Sequence, residues 1–491
     1  MIKLDVVIKR LNEQEYTALC ERFTETGGDR LLDLLNCLRE GWLNETEIPY
    51  HLGISKSAYY TLRSRLYDKV QDTLTSDSDG IKTELLKMVY RIPDLVYDTP
   101  VEIAVAILEK LEKDLIAHDL PHELRVVYNA LKKLHFNTPK YFDYSQQYNK
   151  HLAYIVALDK SEDMVLNFQK TLGDYYLSRD KKLLELLHII KMEMQNLSQL
   201  YQSHHLYVYK VIIDISFALY LPLPEAVEKD EPVEDMLSTM GKIIHQHPGD
   251  KTYQHLLLVY HFLSFEYYFS IGQTTKCVPF FNKVNDGLTS FLGNRLFTFS
   301  SKFLLSKLDF CELKLHETVI GLDSDLVRLS SPSVSDLSAY VNCTKYVVIV
   351  YFNRASYSEP ITLLNKLINK VSFRNFVHSE IEIRLLLAYS YAMANKTNEA
   401  LTVLRNVSRK VKEPELAKKY RNAFLFARML SLFLLSKNRP LKKDDKLRQL
   451  KKEFSKLNKG SCKMLDHVKL NTIIIFHPKV RSRSRRSGLK A

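Results

Sequence analysis

Two pairs of histidines that stand close together in the sequence are the first candidates for a metal site. His204 and His205 are adjacent, and one residue separates His245 from His247. A protein metal site needs three or four ligands, commonly completed by cysteine or carboxylate groups, and neither pair has a clear third ligand near it in sequence. His245 and His247 also end a predicted helix, where histidine interacts favourably with the helix dipole. We therefore predict no metal site and no cofactor.

Catalytic motifs are absent from the sequence. There is no GxGxxG, GxSxG or HExxH motif, no phosphate-binding loop ending in Gly-Lys-Ser/Thr, and no set of kinase motifs. Acidic and basic residues from Glu102 to Lys113 stand at helical spacing, which is typical of a solvated helix face. The sequence predicts a non-enzymatic protein without catalytic residues.

The positive charge of the chain is concentrated near its C-terminus. The formal net charge is +13, but residues 437–491 alone hold 18 Lys and Arg against 4 Asp and Glu, a net charge of +14. A basic segment on a near-neutral chain indicates either an anionic partner, such as nucleic acid, an acidic protein or an anionic membrane surface, or a solvated disordered end. The basic tail of the chain contains four residues that could contact phosphates, namely Arg481, Arg483, Arg485 and Arg486.

The composition excludes several fold classes. Only 14 of 491 residues are Gly and 15 are Pro, too few turn residues for a β-sandwich, a barrel or a disordered chain. The longest apolar runs, 211–223 and 423–435, each carry a charge and are too short to span a bilayer. The first residues lack a signal-peptide core, and the six cysteines form no CxxC pair. We expect a cytoplasmic protein with no membrane span.

Helical periodicity dominates the chain. Apolar residues recur at three- and four-residue spacing in nearly every segment, which predicts helices joined by short polar connections. The pattern predicts separate helices at 141–158 and 162–177, and one helix at 414–436. Successive helices with short connections favour antiparallel pairs, so we predict an all-α fold.

One helix pair has the pattern of a known repeat. Ala388 is small enough to let two helices approach, Tyr391 stands at the turn between them, and the small Ala400 opens the second helix. This unit, residues 377–411, resembles a tetratricopeptide repeat. The same spacing recurs forty residues earlier, at Tyr351, Pro360 and Leu364. A weaker recurrence precedes it, at Tyr268, Cys277 and Phe281. The resemblance implies an α-solenoid whose groove binds a peptide or helix of a partner protein.

The N-terminal part contains a second motif. Gly53 can supply the positive φ of a tight turn, Ser55 stands where a helix N-cap belongs, and Tyr59 and Leu66 are spaced to anchor the helix that follows. Residues 46–70 resemble a helix-turn-helix, although Pro49 stands where that motif usually has a small helix-forming residue. The resemblance implies outward-facing residues that contact DNA bases or phosphates, namely Lys56, Ser57, Tyr60, Thr61, Arg63 and Arg65. The alternative is an ordinary helical hairpin that caps the array.

We therefore predict a tetratricopeptide-like α-solenoid of antiparallel helix pairs with an N-terminal helix-turn-helix-like module. The predicted parts are that module at 1–75, two portions of the array at 81–221 and 233–436, and a basic C-terminal helix and tail at 437–491. The leading hypothesis is a non-enzymatic adaptor that binds a protein or peptide partner. The alternative is a DNA-binding transcriptional regulator that uses residues 46–70 and the basic tail. An enzyme whose site follows no recognised motif is the third hypothesis.

Overall fold

The computed structural model describes residues 4–11, 13–25, 27–40, 47–75, 81–118, 120–201, 203–221, 231–247, 251–293, 301–313, 336–435, 445–457, 464–465 and 468. Regular secondary structure in these residues is helical throughout, and they contain no β-strand. The all-α class predicted from composition and periodicity is therefore confirmed. Across the same described ranges, no helix is both long enough and apolar enough to cross a membrane.

The chain divides into two compact units, residues 1–160 and 161–491, and the division falls inside the long helix α10. The helices that begin in the first unit are α1 (Leu4–Arg10), α2 (Glu13–Glu25), α3 (Asp29–Glu40), α4 (Ile48–His51), α5 (Lys56–Thr75), α6 (Ile81–Tyr90), α7 (Ile92–Asp98), α8 (Val101–Ala117), α9 (Pro121–Leu134) and α10 (Lys140–Ser178). Those of the second unit are α11 (Lys181–Leu200), α12 (His204–Tyr220), α13 (Val233–Gln246), α14 (Lys251–Ser270), α15 (Thr274–Asp286), α16 (Leu288–Gly293), α17 (Ser301–Leu313), α18 (Leu337–Asn353), α19 (Ser358–Lys370), α20 (Val377–Met393), α21 (Thr397–Val411), α22 (Pro414–Ala417), α23 (Arg421–Leu435) and α24 (Asp445–Leu457).

Two apolar clusters form the interior of the first unit. One lies among α1 to α5 and buries Leu34 and Leu35 of α3 against Leu66 of α5. The other involves α6 to α10 and includes Leu108 of α8 and Leu131 of α9. The first cluster holds α5 against α2 and α3, so it fixes the helix that carries the predicted DNA contacts.

Helices of the second unit pack mainly on their neighbours in sequence. Such contacts join α11 to α12, α12 to α13, α13 to α14 and α14 to α15, and they also join α17 through α21 in succession. Some alternate helices also touch, including α12 with α14 and α20 with α23. Buried residues occur around the whole circumference of α12, α18 and α20, so these helices form the interior of the unit.

The structure corrects two predicted helix boundaries. The helices predicted at 141–158 and 162–177 are one continuous helix, α10. No Gly or Pro stands between them, and the intervening Ser161 is fully buried, so the polar residues there mark no break. The helix predicted at 414–436 is instead two helices, α22 and α23, because the chain turns at 418–420 and buries Tyr420.

Candidate functional site

A tight turn leads the chain from α4 into α5. Gly53 has a φ of +62°, and its N–H donates to the Tyr50 carbonyl at 3.2 Å. The next N–H, of Ile54, donates to the Pro49 carbonyl at 2.9 Å. This pair of hydrogen bonds is a Schellman motif, which satisfies carbonyls at the end of a helix. Pro49 is buried in the first turn of α4, where a backbone N–H has no partner within the helix, so the missing N–H of proline carries no cost. The helix is only four residues long.

Ser55 begins α5 as the sequence predicts. Its side-chain oxygen accepts a hydrogen bond from the Ala58 N–H at 3.2 Å, which is the interaction of a serine N-cap. Along α5, Tyr59, Leu66 and Val70 are buried, with Leu62 packed beside them. These residues form a narrow apolar stripe, so most of the circumference of α5 is left to solvent.

Five of the six predicted DNA contacts lie on that exposed surface. They are Lys56, Ser57, Tyr60, Thr61 and Arg65, and the Tyr60 side chain is 62% exposed. Arg63 differs because its side chain is half-buried, since position 63 lies at the edge of the apolar stripe. The structure thus brings two cations, two hydroxyl groups and one phenol together on one helix. Hydrogen-bond donors of these types can contact phosphates and base edges.

A shallow groove of about 560 Å³ lies beside α5. It is lined by the turn between α2 and α3 on one side and by α5 on the other, with residues Gly27, Gly28, Asp29, Arg30, Leu31, Ile54, Ala58, Thr61, Leu62 and Arg65. Arg30 and Arg65 bring positive charge to it, while Asp29 brings a negative charge. The groove therefore carries charges of both signs beside apolar side chains, and it extends the surface around Thr61. The tail residues Arg481, Arg483, Arg485 and Arg486 lie outside the described part of the chain.

Three turns of the second unit share one geometry. The carbonyls of Tyr268, Tyr351 and Tyr391 each accept a hydrogen bond from the N–H of the fifth following residue, at 2.9, 3.0 and 2.9 Å. The fourth following residue has a positive φ in each turn: Gly272, Ala355 and Asn395 at 73°, 55° and 63°. The residues nine and thirteen positions after each tyrosine are buried, namely Cys277 and Phe281, Pro360 and Leu364, and Ala400 and Leu404.

A buried ion pair joins α18 to α20 in the second unit. Lys345 Nζ lies 2.5 Å from Glu382 Oε2. The other carboxylate oxygen of Glu382 accepts a hydrogen bond from the backbone N–H of Met464 at 3.1 Å. Both side chains are almost fully buried, so the carboxylate is satisfied by one ammonium group and by one N–H from a segment 82 residues away.

The electrostatics of this pair follow from burial and from close charges. Burial by itself raises the pKa of Glu382, but the Lys345 ammonium, His378 and the Met464 N–H outweigh it and hold that pKa below its usual range. His378 is buried beside the pair. Burial lowers the pKa of His378 to about 3, with the positive charge of Lys345 acting in the same direction and Glu382 opposing it.

Sequence reasoning missed this group of residues. Lys345 and Glu382 each stand within a helix whose other residues have the apolar spacing of a buried helix. A charged residue in such a position is the sequence feature that could have indicated a buried ion pair. Nothing in the sequence pairs the two, because 36 residues, including a complete helix, lie between them. Met464 carries no signal of its own, since its contact is made by the backbone.

The structure brings together three of the four histidines of the two sequence pairs, namely His204, His205 and His247. His204 stacks on His247 with ring centroids 4.2 Å apart, and the His205 ring lies 4.4 Å from that of His204. Tyr253 completes the cluster through a hydrogen bond with His204. Within the described residues, however, no group of three His, Cys, Asp or Glu side chains has an arrangement that could hold a metal ion.

No protein-family model matches this chain, and neither a curated protein nor a solved structure matches it.

Proposed function

We propose that this chain is a non-enzymatic binding protein whose helical array holds a segment of a partner protein. One observation carries the proposal. The Met464 N–H donates to the buried Glu382 carboxylate of α20, and the neighbouring Leu465 is fully buried. A surface that accepts one segment of the chain through a backbone hydrogen bond has the chemistry to accept a segment of another protein.

A solenoid of antiparallel, tetratricopeptide-like helix pairs is part of this proposal. Its support is the shared turn geometry after Tyr268, Tyr351 and Tyr391, together with the packing of successive helices on one another. In such an array each helix pair covers a face left bare by its neighbour, and the inner helices line an extended binding surface. A cytoplasmic location remains part of the proposal.

Selection from a display library of random 12-residue peptides tests the proposal directly. The full chain is the target, and each selected peptide is resynthesised with a photoreactive side chain. We expect cross-links to α18 or α20, mapped by mass spectrometry. Failure to select any peptide, or cross-links confined to helices other than these two, would contradict a peptide-binding array.

A second candidate function is binding of duplex DNA by α5. The observation that favours it is the exposure of Lys56, Ser57, Tyr60, Thr61 and Arg65 along one helix that follows a tight turn. A helix of this kind can enter the major groove with its N-terminal residues toward the bases. Under this reading the chain is a transcriptional regulator, the array binds its partner, and the basic tail adds phosphate contacts.

Binding of the full chain to a random-sequence duplex, measured by fluorescence anisotropy across a salt series, tests the second candidate. Phosphate contacts release counterions, so the logarithm of the affinity should fall linearly with the logarithm of the salt concentration. Affinity that is undetectable even at low salt would remove DNA binding from the proposal and leave the peptide-binding function unaffected.

A further inference from the structure

A second groove lies along the helix pair α20 and α21 of the second unit. Its volume is about 500 Å³, and we call it the α20–α21 groove. Its lining includes three cations and two carboxylates: Glu380, Arg384, Arg409, Lys410 and Glu413. Three positive and two negative charges give the groove a net charge of +1.

Glu380 holds two of these cations in place. Nε of Arg384, one turn further along α20, donates to one carboxylate oxygen at 2.9 Å. Nζ of Lys410, on α21, lies 2.5 Å from the other oxygen. Burial by itself raises the pKa of Glu380, but the hydrogen bonds and charges of Lys410 and Arg384 outweigh it and hold that pKa below its usual range. Glu380 is therefore ionised at neutral pH and fixes one cation from each helix.

Several hydrogen-bond donors of the groove remain for a ligand. The contact with Glu380 uses Nε of Arg384, so Nη1 and Nη2 of this guanidinium have no acceptor among the described residues. The side chains of Asn406 and Arg409 are exposed and likewise have no partner in the described part of the chain. The groove thus offers two guanidinium groups and one amide to an incoming hydrogen-bond acceptor.

A single carboxylate fits this arrangement. The two terminal nitrogens of a guanidinium form a planar fork that matches the two oxygens of a carboxylate. One carboxylate also balances the net charge of +1, whereas a phosphoryl dianion would leave an excess of negative charge beside Glu380 and Glu413. The groove therefore favours the side chain of an aspartate or a glutamate.

We infer that the α20–α21 groove binds an aspartate or glutamate side chain of the partner segment. Nη1 and Nη2 of Arg384 donate to the carboxylate, and Arg409 and Asn406 add hydrogen bonds from α21. Glu380 positions Arg384 and Lys410 but competes with the ligand for their charge. This inference rests on the proposed peptide-binding function, and it adds the chemical class of the residue that the partner presents.

Peptides from the display selection are the probes. Each selected peptide is made with a C-terminal amide and a fluorescein label, and fluorescence anisotropy measures its affinity for the full chain. The amide removes the terminal carboxylate, so any carboxylate that binds belongs to a side chain. We expect the peptides to share an aspartate or glutamate, and we expect its replacement by asparagine or glutamine to weaken binding at least about tenfold.

Variants of the chain locate the contact. Arg384→Gln with Arg409→Gln should weaken binding at least about tenfold, because both guanidinium groups are lost. The matched control, Arg405→Gln with Lys412→Gln, removes two positive charges at exposed positions that do not line the groove. Glu380→Gln should strengthen binding at least about threefold because it removes the competing carboxylate, an effect opposite in sign to that of a lost structural contact. Circular dichroism establishes that each variant is folded.

Equal affinity of the groove variant and the control, or selected peptides without a shared acidic residue, would overturn the inference and leave the proposed function standing. Weaker binding by folded Glu380→Gln would overturn it as well. If the double groove variant does not fold, Arg409→Gln alone replaces it, because that side chain is exposed, and it should weaken binding at least about threefold. Only the failure of the display selection would also remove the proposed function.

Discussion

The side-chain nitrogen of Lys345 lies 2.5 Å from a carboxylate oxygen of Glu382, with the two side chains 6% and 3% exposed. Both charged groups are shielded from water, and each is stabilised chiefly by the other. Removal of one partner leaves the remaining charge buried alone, whereas removal of both leaves none. The pair therefore behaves as a unit, and its contribution to stability can be measured only by changing both residues.

Lys345→Met should lower the free energy of unfolding of the second unit by about 3–5 kcal/mol, because it leaves the Glu382 carboxylate buried without a cation. Lys345→Met with Glu382→Leu should recover most of that loss, since replacing a buried pair by apolar groups of similar volume is often nearly neutral. Urea unfolding of the two variants measures the difference. A double variant no more stable than Lys345→Met would contradict this account.

The second unit should lose stability on mild acidification. Burial lowers the pKa of His378 to about 3 and that of His261 to about 4 in the folded protein, against about 6.5 in the unfolded chain. Between these values only the unfolded state takes up the proton, so stability falls as the pH decreases from about 6.5 towards 4. Each histidine should cost about 1.4 kcal/mol at pH 5.5.

His378→Gln tests this linkage. The decrease in unfolding free energy between pH 7.5 and pH 5.5 should be smaller in His378→Gln than in the wild type by about 1.4 kcal/mol. His188→Gln, at an exposed position of the same unit, is the matched control. An identical pH dependence in wild type and His378→Gln would show that His378 is accessible to protons in the folded state.

Charge reversal on α5 separates DNA binding from a structural role of that helix. Lys56→Glu with Arg65→Glu should weaken duplex binding at least about tenfold and flatten the salt dependence by about one to two units of slope, if both side chains contact phosphates. Arg65 is preferred to Arg63 because Arg63 is half-buried. The control, Lys110→Glu with Lys113→Glu, makes the same charge change at exposed positions of α8. Equal losses in both double variants would indicate only a nonspecific effect of net charge.

Ala355→Gly should stabilise the second unit. Ala355 has a φ of 55°, a left-handed conformation that costs a residue with a Cβ roughly 1–2 kcal/mol. Glycine removes that strain but loses more entropy on folding, so a net gain of about 0.5–1 kcal/mol is expected. Ala388→Gly, at a fully buried helical position, should instead destabilise the unit, and thermal unfolding compares the two. An Ala355→Gly variant less stable than the wild type would refute the strain argument.

Local features of the helix-turn-helix-like segment were predictable from sequence because each depends on residues a few positions apart. Gly53 has the positive φ, Ser55 caps α5, and Tyr59 and Leu66 are buried, as their types and spacing indicate. Arg63 was predicted as an outward contact, but its position beside Leu62 places it at the boundary of the buried stripe. A one-residue step turns a helix by about 100°, so positions at such a boundary are the hardest to assign.

Features that depend on distant residues were not predictable. The contact of Met464 with Glu382 joins residues 82 positions apart and uses a backbone N–H, which every residue except proline carries. The gathering of His204, His205 and His247 likewise depends on how α12 and α13 pack. The sequence predicted two helices where the structure has the single helix α10. The reason is that the N-terminal and C-terminal parts of α10 bury different faces, so the apolar pattern changes along the helix.

The matching turns after Tyr351 and Tyr391 have a consequence for how the chain can vary in length. Deletion of residues 352–391 would attach Tyr351 directly to Ala392, and the fourth following residue would be Asn395, which already has the required φ. Duplication of the same forty residues would likewise end on a turn of the same kind. A gene encoding this chain can therefore gain or lose one hairpin in a single recombination event without having to evolve a new turn.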